Sequence, residues 1–177
     1  MVDFDRSILG VESAPIHYDV EKGAIRKFAE AIGDADPIYY DDVQVGDAIP
    51  ALVKRPTTRQ LVKYAGASGD YYEIHYDHHF AVKSGLPDGV IVHGLLTAGW
   101  LAQLVTDWLP SPLALKKFGV SYRAMARPGD TITCTGTIVS KYDKDGVYLV
   151  DCEISAENQR GEKCAIGQAT VVLPTRA

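Results

Sequence analysis

An α+β fold, with a curved antiparallel sheet wrapped round one long apolar helix, is the architecture that this sequence predicts. Three observations predict it. Val90 to Leu109 is a long and mostly apolar stretch. From Leu113 onward the hydrophobic period becomes two. Turn-forming clusters at residues 127–130 (Arg-Pro-Gly-Asp), 144–146 (Lys-Asp-Gly) and 158–161 (Asn-Gln-Arg-Gly) then cut the alternating run into strands.

The elements follow in order. Ile25, Phe28, Ala29 and Ile32 have helical spacing within residues 23–32, and Gly33 stops that helix. Val43 to Val53 reads as a turn and strand led in by Val45, Gly46 and Asp47. Thr57 or Thr58 caps a second helix whose apolar stripe is Leu61, Val62, Tyr64 and Ala65, ending at Gly69. Residues 70–89, rich in His, Tyr, Gly and Pro, read as a loop before the long helix. In the strand region Thr131, Thr133, Thr135 and Thr137 take one face, and Ile132, Cys134, Gly136 and Ile138 the other. Tyr148, Val150, Cys152, Ile154 and Ala156 alternate in the same way with Asp151, Glu153, Ser155 and Glu157.

Length and composition narrow the class of protein. The 177 residues suit one domain with a short appendage. A formal net charge of −5 argues against a nucleic-acid binder, which would carry a basic face. Cys134, Cys152 and Cys164 are odd in number and lack CxxC spacing, so they read as core fillers of a reduced, cytoplasmic protein. No basic segment followed by an apolar run marks a secretory signal at the N-terminus. The 90–109 stretch is long enough to invite a membrane reading. His93, Gln103 and Asp107 within it, and alternating strands around it, favour a buried central helix instead.

An internal echo is visible as well. Residues 27–42 lie over 63–78 without gaps, matching at Lys, two Ala, Gly, Asp, Ile, Tyr and Asp. Tyr39 stands where the second copy has His75. A remnant of a duplicated module would produce this pattern; chance likeness between two amphipathic helices is the alternative.

The candidate chemistry lies in residues 64–94. Asp70 precedes His75 by five residues, just past the helix-ending Gly69, and His93-Gly94 opens the long helix. A carboxylate and an imidazole near a helix N-terminus suit addition of water to an activated double bond. The pair handles the proton of the water, and backbone N–H donors receive the charge that develops on a carbonyl oxygen. Plainer readings exist for each residue taken alone. Asp70 could cap a turn, and His75 could be a hydrogen-bonded structural histidine. Asp77 reads as a cap or loop anchor, and His78 and His79 as exposed loop residues without metal-ligand spacing. His93 shapes the turn before Gly94. Trp100, Leu101, Leu104 and Val105 read as core residues first.

At these residues the chain resembles the MaoC-like dehydratases and (R)-specific enoyl-CoA hydratases, also called hydratase 2. The shared pattern is carried by Tyr64, Ser68-Gly69-Asp70, Ile74-His75-Tyr76-Asp77, Phe80-Ala81 and Ile91-Val92-His93-Gly94. It covers roughly residues 44–174 and includes the Arg127-Pro128-Gly129-Asp130 turn. Residues 1–43 resemble the front of the N-terminal half of double hot-dog relatives, cut short before its sheet. The resemblance implies a hot-dog domain over residues 44–177 behind an N-terminal extension, in which Asp70 and His75 hold one water and Gly94 donates its N–H to the thioester oxygen. Tyr72, His93 and Trp100 would line the substrate. No metal or redox cofactor is needed. The implied substrate is an acyl thioester of CoA, or of acyl carrier protein, with Lys83, Lys116, Lys117 and Arg123 as candidates for phosphate contacts. The implied assembly is a homodimer, or dimers of it. The family's Asn-Pro after the aspartate is Tyr72-Glu73 here, which raises a second expectation: a weak or inactive hot-dog subunit that binds acyl-CoA or stabilises an active partner. Thioester hydrolysis is a third, for which the sequence supplies no separate nucleophile.

Overall fold

A computed structural model describes residues 38–176. The helix expected over residues 23–32, and all but the end of the first echo copy, lie outside the described residues. Five strands form one antiparallel sheet: β1 (Ala48–Lys54), β2 (Leu115–Tyr122), β3 (Ile132–Lys144), β4 (Val147–Asn158) and β5 (Lys163–Val172). Their order is β1-β3-β4-β5-β2, so β1 and β2 are the edges. The helices are α1 (Thr58–Ser68), α2 (His78–Lys83) and α3 (Gly94–Trp108), and α3 packs against all five strands. This is the hot-dog fold.

The period-two pattern explains how the sheet meets the helix. Ile132, Cys134 and Ile138 of β3 are buried with Val150, Cys152, Ile154 and Ala156 of β4, while Thr135 and Glu153 stay outside. From α3, Thr97, Trp100, Leu101, Leu104 and Val105 recur every three or four residues and close onto that face. Burying each of the large apolar side chains contributes about 1.5–3 kcal/mol. The three cysteines are free and buried, and burial pushes the thiols of Cys134 and Cys152 up to about 11. They behave as apolar filler. None of the described helices is long and apolar enough to cross a membrane.

Differences from the sequence reading are local. The long helix begins at Gly94 and leaves residues 90–93 extended, with His93 as its N-cap residue. The expected loop contains a 3-10 turn (Glu73–His75) and α2, so His78 and His79 open a short helix, capped by the Asp77 carboxylate accepting from Phe80 N–H. A six-residue helix presents too few turns to show a periodic stripe. Residues 40–43, at the end of the expected N-terminal extension, are bonded to residues far along the chain. Tyr40 N–H donates to the Pro174 carbonyl, Lys141 Nζ donates to the carbonyls of Tyr40 and Val43, and Arg176 grips Asp42.

The Arg-Pro-Gly-Asp turn joins the start of β3 to the neighbouring β4–β5 turn. Asp130 is 5% exposed, and its carboxylate accepts from Arg127 N–H, Gln159 Nε2 and Arg160 Nη1. Burial opposes its charge, but the bonds from Arg160, Gln159 and Arg127 outweigh burial and hold the carboxyl below its usual range. Asp130→Ala strands these donors. It should lower unfolding free energy by about 1–3 kcal/mol, read as a reduced urea midpoint at neutral pH.

Candidate active site

The site is assembled by three short segments that converge on the N-terminus of α3. Helix α1 ends where Gly69 adopts a left-handed conformation (φ 77°), its N–H bonding to the Ala65 carbonyl. A Cβ there would be strained, whereas glycine turns the chain back freely. Ser68 Oγ then accepts from Asp70 N–H, and Asp70 Oδ1 accepts from Tyr72 N–H at 3.4 Å, an Asx turn that sets the carboxylate. The 3-10 turn that follows carries His75. Its neighbour Ile74 accepts from Ile91 N–H, and Val92 N–H donates to the Ala126 carbonyl. The extended residues 90–93 are thus pinned on both sides. Arg127 adds a clamp from below, with Nη1 donating to the Gly89 carbonyl and Nη2 lying 3.2 Å from Asp88.

His75 is 7% exposed, and its orientation settles its tautomer. Nδ1 lies 2.9 Å from the Ile91 carbonyl oxygen, which can only accept. In the neutral ring the proton therefore sits on Nδ1, and Nε2 presents a lone pair. That Nε2 faces Asp70 Oδ2 across 4.0 Å. The gap exceeds a direct hydrogen bond, yet one water oxygen can contact both atoms. Asp70 is partly exposed, so the water side is open to solvent.

His93 lies behind this pair, fully buried. Its ring stacks on His75, centroids 3.8 Å apart and planes 21° from parallel, and Tyr64 meets it edge-on at 4.8 Å. Nε2 donates to the Asp70 backbone carbonyl at 3.3 Å, while Nδ1 has no hydrogen-bond partner. Burial first, and then His75, lower its proton affinity, against a smaller opposing pull from Asp70. A neutral ring leaves only a lone pair unpaired; a protonated ring would bury an unpaired charged N–H.

One donor atom from each of Asp70, His75 and His93 lies within 4.8 Å of the others, which raises the question of a metal. The stack answers it. Ligand lone pairs lie in the ring plane, and two nearly parallel planes at stacking distance cannot both direct a nitrogen at one ion. His75 Nδ1 is already bonded to Ile91, and its Nε2 points to Asp70. The set suits proton handling.

Gly94 is the first residue of α3, where the amide has no partner within the helix. The helix dipole adds positive potential there. The structure therefore brings Asp70, His75, His93 and Gly94 together. Tyr72 borders them: it is half-exposed, its ring edge-on to His75 at 6.5 Å and to Phe80 at 5.9 Å. Trp100 is 3% exposed and closed in the core. Sequence reasoning missed Tyr122, at the end of β2, whose ring end lies over Gly94, and the Arg127 clamp on Gly89. Strand alternation puts Tyr122 on the face of Val120, but nothing linear links it to α3. A groove of about 740 Å³ lined by Thr135, Glu153, Ser155 and Gln168 shares no residue with this constellation and offers no imidazole.

A hot-dog fold holding an aspartate and a histidine about one water apart defines a narrow class. Residues 42–159 match the family model described as MaoC like domain, and the chain belongs to that family. Residues 7–50 match the FAS1-like, dehydratase domain region. The chain is 27% identical over 141 residues to the (R)-specific enoyl-CoA hydratase of Rhodospirillum rubrum, covering 78% of this chain and 93% of that protein. It is 34% identical over 97 residues to the 3-hydroxybutyryl-CoA dehydratase of Methylorubrum extorquens, covering 54% of this chain and 60% of the relative. The unliganded R-hydratase PhaJ1 of Pseudomonas aeruginosa superposes with a TM-score of 0.70 at 22% identity, over 79% of this chain and 88% of that one, a likeness of fold.

The lowered proton affinity of His93 has a consequence for stability. Below about pH 6.5 the unfolded chain protonates this residue while the folded chain resists, so stability is lost as pH falls. Chemical denaturation at pH 7.5 and 5.5 should show a loss in the parent protein that His93→Gln reduces. Equal losses in both would contradict a buried neutral His93.

Proposed function

We propose that the chain hydrates trans-2-enoyl thioesters to (R)-3-hydroxyacyl thioesters, or runs the reverse dehydration, with Asp70 and His75 as the catalytic pair. The observation that carries this reading is the 4.0 Å separation of His75 Nε2 and Asp70 Oδ2, with His75 locked by Ile91. Both atoms accept, so both hydrogens of a bridging water are held and its oxygen lone pair is free. That oxygen bonds to the β-carbon. The π pair moves toward the α-carbon and carbonyl, giving an enolate-like oxygen that the Gly94 N–H and the α3 dipole stabilise. One proton passes from water to the pair and one returns to the α-carbon, so atoms and charge balance.

The (R) configuration, the CoA carrier and the choice of hydration or dehydration rest on what the relatives are named for. Acyl carrier protein is the alternative carrier. Tyr72 would border the reacting carbons, His93 would back the catalytic pair from behind His75, and Trp100, closed in the core, would meet only the far end of an acyl chain. Tyr72 and Glu73 stand where the resemblance has an amide and a proline. The Tyr72 ring packs between His75 and Phe80, which leaves ordering of the water to the pair itself and narrows the entrance. Edge strands β1 and β2 carry unpaired backbone groups, and a homodimer in which a second copy covers an edge would remove one such liability. Residues 1–43 would form an N-terminal extension to the hot-dog domain over residues 44–177.

Loss of enoyl-thioester absorbance with a panel of trans-2-enoyl-CoAs tests the activity. The parent protein should consume substrate, and Asp70→Asn and His75→Ala should each lower kcat by about 100-fold or more while remaining folded. No thiol should be released from a saturated acyl-CoA; its release would indicate hydrolysis. A parent chain that is silent with every acyl group, but active with a co-expressed partner, would indicate a stabilising subunit. Tyr72→Ala should shift the ratio of kcat/KM values toward branched or bulky enoyl-CoAs.

A further inference from the structure

Tyr122 is the last residue of β2 and pairs in register with Ala165 of β5. A Cβ placed on Gly94 would lie 3.1 Å from Tyr122 Cζ and 3.3 Å and 3.4 Å from its Cε atoms. The hydroxyl end of the ring therefore packs over Gly94, the first residue of α3, whose amide has no helical partner. Tyr122 is 49% exposed, and among the described residues its hydroxyl makes no hydrogen bond. Tyr64 lies close enough to both Asp70 and Tyr122 to feel their charge. Burial raises the Tyr64 phenol's hold on its proton, and the Asp70 carboxylate and Tyr122 raise it further.

The groups around the N-terminus of α3 divide into two sides. Asp70 Oδ2 and His75 Nε2 accept. The Gly94 N–H and the Tyr122 O–H donate. The accepting side suits a water; the donating side suits a carbonyl oxygen on which charge grows. A single amide satisfies one lone pair of that oxygen, and a second donor would meet the other. Packing over Gly94 needs only the ring, which phenylalanine would supply equally well. The hydroxyl adds a donor that the packing does not use.

We propose that the Tyr122 phenol is a catalytic residue, the second hydrogen-bond donor to the thioester oxygen beside the Gly94 amide. This rests on the hydratase reading above. Tyr122→Phe keeps the ring over Gly94 and removes only the donor. With a short trans-2-enoyl-CoA, kcat should fall on the order of 10–100-fold with little change in KM, at an unchanged melting temperature. A second readout needs no turnover. A 4-dimethylaminocinnamoyl-CoA probe absorbs at longer wavelength when its carbonyl is polarised. It should shift to the red on binding the parent protein, and shift less on Tyr122→Phe at similar affinity. If Tyr122→Phe matches the parent in both kcat and shift, the phenol only packs and this inference falls alone. A parent protein that neither hydrates the enoyl-CoA nor shifts the probe overturns the hydratase reading and this inference with it.

Discussion

A helix that is apolar on most of its circumference has to be covered, yet its N-terminus carries amides that packing would leave without partners. Helix α3 meets both requirements at once. Five strands close over Trp100, Leu101, Leu104 and Val105, while residues 90–93 approach in extended form and leave the first turn facing the cleft. The unpartnered amide end of the helix, to which the proposed function gives the thioester oxygen, is thus a by-product of burying the helix body. Every other group in the site is placed relative to that end.

Histidine stacking is the second constraint, and it joins the two loops that the helix alone would not hold. His75 comes from the turn after α1 and His93 from the approach to α3. Each ring bonds to a carbonyl of the other's segment: His75 to Ile91, His93 to Asp70. The reciprocal bonds fix both tautomers. They aim one lone pair at the water side and leave the other, on His93, unpaired in the interior. The unpaired buried Nδ1 is a cost of about 1–3 kcal/mol.

Much of this was legible in the sequence because it is local. The period change after Leu113, the threonine face of β3, the Thr57 cap, the Gly69 stop and the His93-Gly94 entry each depend on residues within a turn or a strand of one another. Asp77 was readable as a cap for the same reason. The remainder is tertiary. The His75–His93 stack spans two loops, the Arg127 clamp crosses from the β2–β3 connection to Gly89, and Tyr122 reaches α3 from an edge strand. Linear patterns carry no signal for such meetings. The ties that hold residues 40–43 are of the same kind, because they come from Lys141 and Arg176, far along the chain.

The replacement of an amide and a proline by Tyr72-Glu73 can be weighed against this geometry. An amide at position 72 could both donate to and accept from the water. The phenol that stands there is half-exposed and packs edge-on against His75 and Phe80, making no hydrogen bond among the described residues. What remains of the position's original task is carried by the backbone: Tyr72 N–H still donates to Asp70 Oδ1, so the carboxylate keeps one fixed oxygen and offers the other to the cleft. A proline at position 73 would have pre-set φ for the 3-10 turn; glutamate instead relies on the bonds from Tyr76 and Asp77 N–H to its carbonyl. The turn therefore persists without proline, and the dyad persists without the amide. The ring of Tyr72 adds bulk at the rim of the cleft, so under the proposed hydratase reading the substitution bears on which acyl groups enter rather than on how water is activated.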